Sequence, residues 1–124
     1  KAEYVRDLAQ YFASGAIDVS SWPQTDDETI IEQLVEVRGI GRWTAEMYLI
    51  FHLGRPNVLP LADLGLQRGL DLNYNRGKPI SARKLRIVTK AWEPWCSVGT
   101  WYMWRSLEKL PGAPGAEGSE RPVA

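Results

Sequence analysis

The sequence has very few residues that could form covalent or metal cross-links. It contains one cysteine, Cys96, and one histidine, His52. A single cysteine excludes an internal disulfide, a zinc site built from several cysteines and a Cys₄ iron–sulfur cluster. We therefore interpret Cys96 as a small residue of a helix, and His52 as a packing residue or as a partner of a helix C-terminal dipole.

The sequence also lacks long apolar segments, and its formal net charge is zero. No apolar run approaches the ~20 residues that a membrane-spanning helix needs, and the N-terminus does not resemble a signal peptide. We therefore expect an intracellular protein without a membrane partner. The sequence has 15 basic and 15 acidic residues, so binding to a polyanion would require local placement of charge. Its 124 residues suit one domain with a real core.

Apolar periodicity predicts helices and no strands, so the predicted fold class is all-α. A possible capping box at 25–28 starts a helix that ends at Gly39, and Ser81 is a predicted N-cap. The Pro- and Gly-rich residues 111–124 are predicted to form a disordered tail, which leaves a helical domain at 1–110. The predicted helices span 2–13, about 25–39, 43–53, 63–70, 81–92 and 94–110.

The segment Gly39-Ile40-Gly41 predicts a tight hairpin between two helices, with Ile40 buried. The free N–H groups of such a turn, together with the start of the next helix, form an anion site. Arg38 and Arg42 flank the turn and add positive charge. The same pattern is also common as a simple connection between helices.

Asp63 is a candidate catalytic carboxylate. It follows the apolar, extended residues 58–62, so it is expected to be partly desolvated, and Gly65 leaves room beside it. A carboxylate in such surroundings can stabilise a developing positive charge, or orient and deprotonate water. The simpler interpretation is that Asp63 is only a helix N-cap.

Six tryptophans are many for this length. We expect Trp92, Trp95 and Trp101 to pack in the core. Trp43 begins a helix directly after the hairpin, and Trp104 lies in the last helix. Both are candidates for aromatic walls that hold an extruded base by stacking. The basic residues between Arg83 and Lys90 are expected to form a solvated helix face.

Three motifs occur in one order along the chain. They are Leu34-x-x-Val37-x-Gly39-Ile40-Gly41-Arg42-Trp43-Thr44-Ala45, then Leu59-Pro60-x-x-Asp63-Leu64-Gly65-Leu66, then Trp92-x-Pro94-Trp95-x-Ser97 followed by Trp104. Together they resemble the helix-hairpin-helix DNA glycosylases. The resemblance extends from about Lys1 to Leu107 and is strongest to enzymes of the 3-methyladenine-DNA glycosylase II type.

The resemblance implies a role for each matching residue. Asp63 corresponds to the catalytic aspartate. Three residues correspond to the base pocket: Trp43, Met47 and Trp104. Four correspond to the phosphate-binding hairpin: Gly39, Gly41, Arg42 and Thr44. Three fall where the family offers backbone carbonyls to a monovalent cation: Val35, Val37 and Ile40. No other cofactor is implied.

The resemblance also implies a function, which is hydrolysis of the N-glycosidic bond of alkylated purines in double-stranded DNA, a step of base-excision repair. Such a protein would act in the cytoplasm or nucleoid, or in the nucleus of a eukaryote. Bifunctional members carry a lysine where this chain has Trp43, so we predict a monofunctional enzyme without a lyase step. Met47 departs from the pattern, since the family often has an aromatic residue there. Cys96 stands where an arginine is frequent, and Arg38 where a proline is.

The sequence leaves two alternative functions open. One is a non-enzymatic DNA-binding module that uses only the hairpin. The other is a truncated, inactive glycosylase fragment, because family members carry about a further domain before the position of Lys1. The chain begins inside a predicted helix and without an initiator methionine, so we expect a fragment lacking the family's N-terminal part. The oligomeric state is left open.

Overall fold

A computed structural model describes residues 1–108, and within this range the chain is helical without strands. The all-α prediction is therefore confirmed for the described residues, whereas the predicted tail at 111–124 lies outside them. None of the helices in this range is both long enough and apolar enough to cross a membrane. The helices are α1 Ala2–Ala13, a 3₁₀ helix Val19–Gln24, α2 Asp27–Val35, α3 Arg42–Phe51, α4 Leu64–Tyr74, α5 Ala82–Lys90 and α6 Cys96–Leu107.

The chain divides into two compact units, Lys1–Val58 and Leu59–Ala124. In the first unit α2 packs against α3, and half-buried residues of α1 cover the same core. In the second unit α4 packs against α6. The first core is formed by Ile17, Trp22, Ile30, Ile31, Leu34, Val37, Ala45, Leu49 and Val58. The second is formed by Leu66, Leu70 and Met103, with half-buried Leu59, Ile80, Leu85, Val88 and Trp92 around them.

Polar side chains cap the starts of α4 and α5 where the sequence predicts them. The carboxylate of Asp63 accepts a hydrogen bond from the backbone N–H of Leu66, and the hydroxyl of Ser81 accepts one from Lys84. Each bond satisfies one of the N–H groups that a helix start leaves without an intrahelical partner. Local sequence is therefore sufficient to fix these two helix starts.

The cap of α2 differs from the predicted capping box. Asp26, not Thr25, is the N-cap, and its carboxylate accepts from the backbone N–H of Thr29 at 3.4 Å. The hydroxyl of Thr25 instead donates to the carbonyl of Ser21 at 2.7 Å. The reason is that the 3₁₀ helix ends directly before Thr25, which brings the hydroxyl of Thr25 within reach of the Ser21 carbonyl of that helix.

Several helix boundaries also differ from prediction. Helix α2 ends at Val35 rather than at Gly39, because the next residues already form the hairpin turn. Helix α4 continues beyond Leu70 to Tyr74. Helix α6 begins at Cys96 rather than at Pro94 and ends at Leu107.

The prediction that Trp95 and Trp101 pack in a core is wrong. Their exposed fractions are 59% and 47%, whereas Trp92 is half-buried and packs against the second core. Helix α6 buries the stripe Cys96, Ser97, Thr100 and Met103. These positions follow the helical repeat, so Trp95 and Trp101 fall beside the stripe rather than on it.

A glycine permits the close packing of α4 on α6. A Cβ atom placed on Gly69 would lie 2.7 Å from Cβ of Met103 and 2.9 Å from its carbonyl oxygen. Both distances are below van der Waals contact, and one of them is to backbone. The two helices of the second unit are therefore held at a separation that only glycine allows at this position.

Candidate functional site

The predicted hairpin is present between α2 and α3. Its turn is closed by a hydrogen bond from the N–H of Ile40 to the carbonyl of Val37 at 3.1 Å. Val37 is 1% exposed, whereas Ile40 is half-buried against the first core rather than fully buried. The turn is thus anchored mainly by Val37, with Ile40 covering it.

The two glycines of the hairpin have different roles. Gly39 has a φ of +93°, and a Cβ there would lie 2.8 Å from the ring of Tyr4 on α1. Gly41 is the N-cap of α3, and a Cβ placed on it would meet no atom within 4 Å. Gly39 is therefore required by the turn and by α1, whereas Gly41 leaves the start of α3 uncovered within the first unit.

The start of α3 exposes the four residues that the sequence assigns to phosphate: Gly39, Gly41, Arg42 and Thr44 are all exposed. The first N–H groups of α3 have no acceptor within the helix, and the helix dipole favours an anion there. Charge and hydrogen-bond donors are consistent with an anion site at this helix start.

Both arginines of the hairpin, Arg38 and Arg42, form ion pairs with carboxylates. The guanidinium of Arg42 donates to both oxygens of Glu28 on α2, at 2.7 and 2.8 Å. This contact lowers the pKa of Glu28 and raises the pKa of Arg42. The Nε of Arg38 lies 2.9 Å from a carboxylate oxygen of Asp7. Sequence reasoning missed both partners, which lie on other helices.

Trp43 and Met47 lie four residues apart on α3, so they share one face of that helix. The exposed fraction of Trp43 is 50%, and Met47 is half-buried. About half of the surface of Trp43 is therefore exposed on the first unit.

Asp63 is buried, with 8% of its surface exposed, in the second unit. Its Oδ2 accepts two hydrogen bonds, from the N–H of Leu66 at 2.8 Å and from Nε1 of Trp104 at 2.7 Å. The predicted desolvation of this carboxylate is thus present. The structure also brings together Asp63 and Trp104, which the sequence assigned to separate roles.

The room beside Asp63 that the sequence attributes to Gly65 is filled by an indole. A Cβ on Gly65 would lie 3.0 Å from Cδ1 of Trp104 and 3.2 Å from Oδ2 of Asp63. Any larger residue would push the indole or the carboxylate aside. We call Asp63, Gly65 and Trp104 the carboxylate clamp.

The sequence assigns a monovalent cation to the backbone carbonyls of Val35, Val37 and Ile40, and the structure describes a partner for the carbonyl of Val37. The carbonyl of Val37 accepts one hydrogen bond, from Ile40, and a carbonyl oxygen has two lone pairs. Between residues 1 and 108 there is no cluster of three or more His, Cys, Asp or Glu side chains able to hold a metal. Carbonyls from a turn match the hard, neutral donors that monovalent cations prefer.

Two solved structures are similar to this chain in both fold and sequence. A DNA-3-methyladenine glycosidase of Bacillus halodurans is 40% identical with a TM-score of 0.78, over 85% of this chain and 48% of that one. The Schizosaccharomyces pombe 3-methyladenine DNA glycosylase Mag1, solved with abasic DNA, is 30% identical with a TM-score of 0.74, over 86% and 52%. This chain belongs to the helix-hairpin-helix DNA glycosylases.

Curated protein sequences are also similar to this chain. YfjP of Bacillus subtilis (strain 168), which carries a provisional DNA-3-methyladenine glycosylase name, is 40% identical over 87% of this chain and 38% of its own length. No model of a protein family matches the chain. This helix-hairpin-helix glycosylase chain spans less than half the length of the curated relatives that it matches.

Proposed function

We propose that this chain carries the catalytic part of a DNA glycosylase that hydrolyses the N-glycosidic bond of alkylated purines in duplex DNA. The observation that carries the proposal is the clamp around Asp63, a buried carboxylate held by two N–H donors on one oxygen. A module that binds DNA only through its hairpin has no need for such a carboxylate. The names of the relatives, and the abasic DNA bound to Mag1, support the same chemistry.

Asp63 would act on the sugar. When the bond between C1′ and the purine nitrogen breaks, its electron pair stays on the base and positive charge develops on the sugar. A fixed carboxylate stabilises that charge, because it needs no reorganisation during the reaction. Water then adds through its oxygen to C1′ and loses a proton, which Asp63 can accept. An alkylated purine is cationic and leaves as a neutral base.

The other proposed contacts are binding contacts. The N–H groups at Gly39 and Gly41, with Thr44 and Arg42, would hold a phosphate, which fixes position without reading sequence. Trp43, Met47 and Trp104 would line the base pocket, where electron-rich rings stack on a cationic purine. Val35, Val37 and Ile40 would offer carbonyl oxygens to a monovalent cation, which would hold the turn and add positive charge near the phosphate.

We further propose that the enzyme is monofunctional. A lyase step needs an amine that attacks C1′ and forms a Schiff base. Position 43, where bifunctional members carry that lysine, holds tryptophan. The expected product is therefore an intact strand with an abasic site.

The test is release of free base from methylated duplex DNA by the 124-residue chain, measured by chromatography, with unmethylated duplex as the control. We expect free methylated purine and a strand that breaks only after alkali treatment. Binding without release would favour the non-enzymatic module. Strand breakage without alkali would contradict a monofunctional enzyme, and failure both to bind and to release would overturn the proposal.

Removing the acid that holds Arg42 should strengthen DNA binding. In Glu28→Gln the guanidinium loses its closest charged partner and keeps the longer contact with Glu46 at 3.8 Å, so it is freer to contact phosphate. We expect affinity for a short duplex to rise roughly three- to tenfold at low salt. The contact with Arg42 lowers the pKa of Glu28, so the wild-type carboxylate stays charged at the neutral pH of the assay.

The matched control for Glu28→Gln is Glu108→Gln, just after α6. Glu108 forms a comparably exposed ion pair with Arg105 at 2.6 Å, so this variant makes the same change in net charge without altering an ion pair of the hairpin. We expect its affinity to rise by less than about twofold, since Arg42 keeps its ion pair with Glu28 and salt screens a charge change on an exposed side chain. Equal gains from both variants, by fluorescence anisotropy, would show that net charge alone is responsible.

A further inference from the structure

We infer that Trp104 is a positioning residue for Asp63, and that it acts through its indole N–H in addition to its ring. The inference rests on the proposed function in one respect, namely that Asp63 is the catalytic carboxylate. It assigns to Trp104 a role that the base pocket does not require, since a stacking wall needs an aromatic ring and no hydrogen-bond donor.

The geometry of the contact supports this role. Nε1 of Trp104 lies 2.7 Å from Oδ2 of Asp63, at the short end of the range for an N–H donor to a carboxylate. Asp63 is buried and Trp104 is half-buried, so competition from water at this bond is reduced. Tryptophan has one hydrogen-bond donor, and it is directed at the carboxylate.

The two donors on Oδ2 come from different parts of the second unit. The N–H of Leu66 belongs to the first turn of α4, which Asp63 itself caps. The indole comes from α6, 41 residues later in the sequence. A cap bond alone leaves the carboxylate free to turn about its Cβ–Cγ bond, whose torsion is broad. A second donor from another helix restricts that rotation, so α6 determines how the carboxylate is presented.

Gly65 makes the contact possible. Its missing Cβ leaves the space that Cδ1 and Nε1 of Trp104 occupy, at 3.0 and 3.2 Å from where that atom would be. An alanine there would displace the indole relative to Asp63 without removing donor or acceptor. Gly65→Ala is therefore a second variant that tests position rather than chemical identity.

The first measurement needs no enzymatic activity. In a ¹H–¹⁵N spectrum of the chain, the indole signal absent from Trp104→Phe identifies Trp104. We expect this signal to lie downfield of the other indoles and to exchange slowly, and to move upfield and exchange faster in Asp63→Asn. An indole signal that Asp63→Asn leaves unchanged would overturn the inference, whether or not the chain excises bases.

The second measurement separates the ring from the N–H. Trp104→Phe keeps an aromatic wall and loses the donor, so we expect the single-turnover rate of base release to fall about tenfold or more. The affinity for damaged duplex should stay within about twofold. Gly65→Ala should likewise lower the rate and leave the affinity unchanged, because its new Cβ would displace the indole of Trp104 relative to Asp63.

The matched control is Trp101→Phe, the same substitution on the same helix at an exposed position outside the clamp. Its excision rate should equal that of the wild type. If Trp104→Phe also retains the wild-type rate, or if it loses affinity rather than rate, Trp104 acts as a wall and not as a positioning residue. If the wild-type chain excised no base, the proposed function would be contradicted instead. The indole spectrum would still show whether Trp104 donates a hydrogen bond to Asp63.

Discussion

Asp63→Asn should lower the rate of base release by about two to three orders of magnitude, with binding to damaged duplex retained. The substitution removes the negative charge that would stabilise the sugar cation and leaves the side-chain shape almost unchanged. The measurement is the single-turnover rate on methylated duplex, together with affinity for the same duplex. The binding contacts proposed at Gly39 to Thr44 lie elsewhere in the sequence and are not altered.

The loss should not come from unfolding. Asparagine is as good an N-cap as aspartate, so its side-chain oxygen can still accept from the N–H of Leu66. The same oxygen can accept from Nε1 of Trp104, although more weakly because the charge is gone. We expect a change in unfolding free energy of about 1 kcal/mol or less.

Asp71→Asn is the matched control for this prediction. Asp71 is a second carboxylate of α4, and its Oδ1 accepts a backbone N–H from Ile80 at 2.9 Å. The variant makes the same chemical change in the same helix, outside the clamp. Its excision rate should equal that of the wild type. An Asp63→Asn variant as active as Asp71→Asn would remove Asp63 from the mechanism.

Gly69→Ala is expected to destabilise the second unit by about 2 kcal/mol, with a lower midpoint of urea unfolding. The direction is opposite to the ordinary effect of this substitution within a helix, which stabilises by up to about 1 kcal/mol. The new Cβ would lie 2.7 Å from Cβ of Met103 and 2.9 Å from its carbonyl oxygen, so α4 and α6 must separate.

Leu64→Ala tests whether α4 is sensitive to any substitution. Leu64 is the first residue of α4 and is 78% exposed, so its truncation should change the unfolding free energy by about 0.5 kcal/mol or less. If Gly69→Ala is as stable as the wild type, the two helices are able to separate, and the close contact is not needed for stability.

Local chemistry made the hairpin and the caps of α4 and α5 predictable. Gly39-Ile40-Gly41 dictates a turn, because a positive φ at Gly39 favours glycine. Asp63 and Ser81 each precede a helical pattern, and a side-chain oxygen there satisfies the N–H group three residues later. All of these features depend on residues within one turn of each other.

The contacts of the site depend on residues far apart in sequence, and these were not predictable. The hydrogen bond between Trp104 and Asp63 joins α6 to the start of α4, and the ion pair between Arg42 and Glu28 joins α3 to α2. No spacing rule connects such positions. The exposure of Trp95 escaped prediction for a related reason, since composition indicates how many aromatic residues a chain has but not which face of α6 is buried.

The proposed phosphate contact would exchange one ion pair of the hairpin for another. If the guanidinium of Arg42 moved from Glu28 to a phosphate, one cation would leave the DNA and the carboxylate of Glu28 would attract cations from solution. The exchange at Arg38 and Asp7 is of the same kind. The logarithmic slope of affinity against salt concentration would then be smaller than the number of phosphates contacted. A shallow salt dependence at this hairpin would thus be compatible with extensive contact to the DNA backbone.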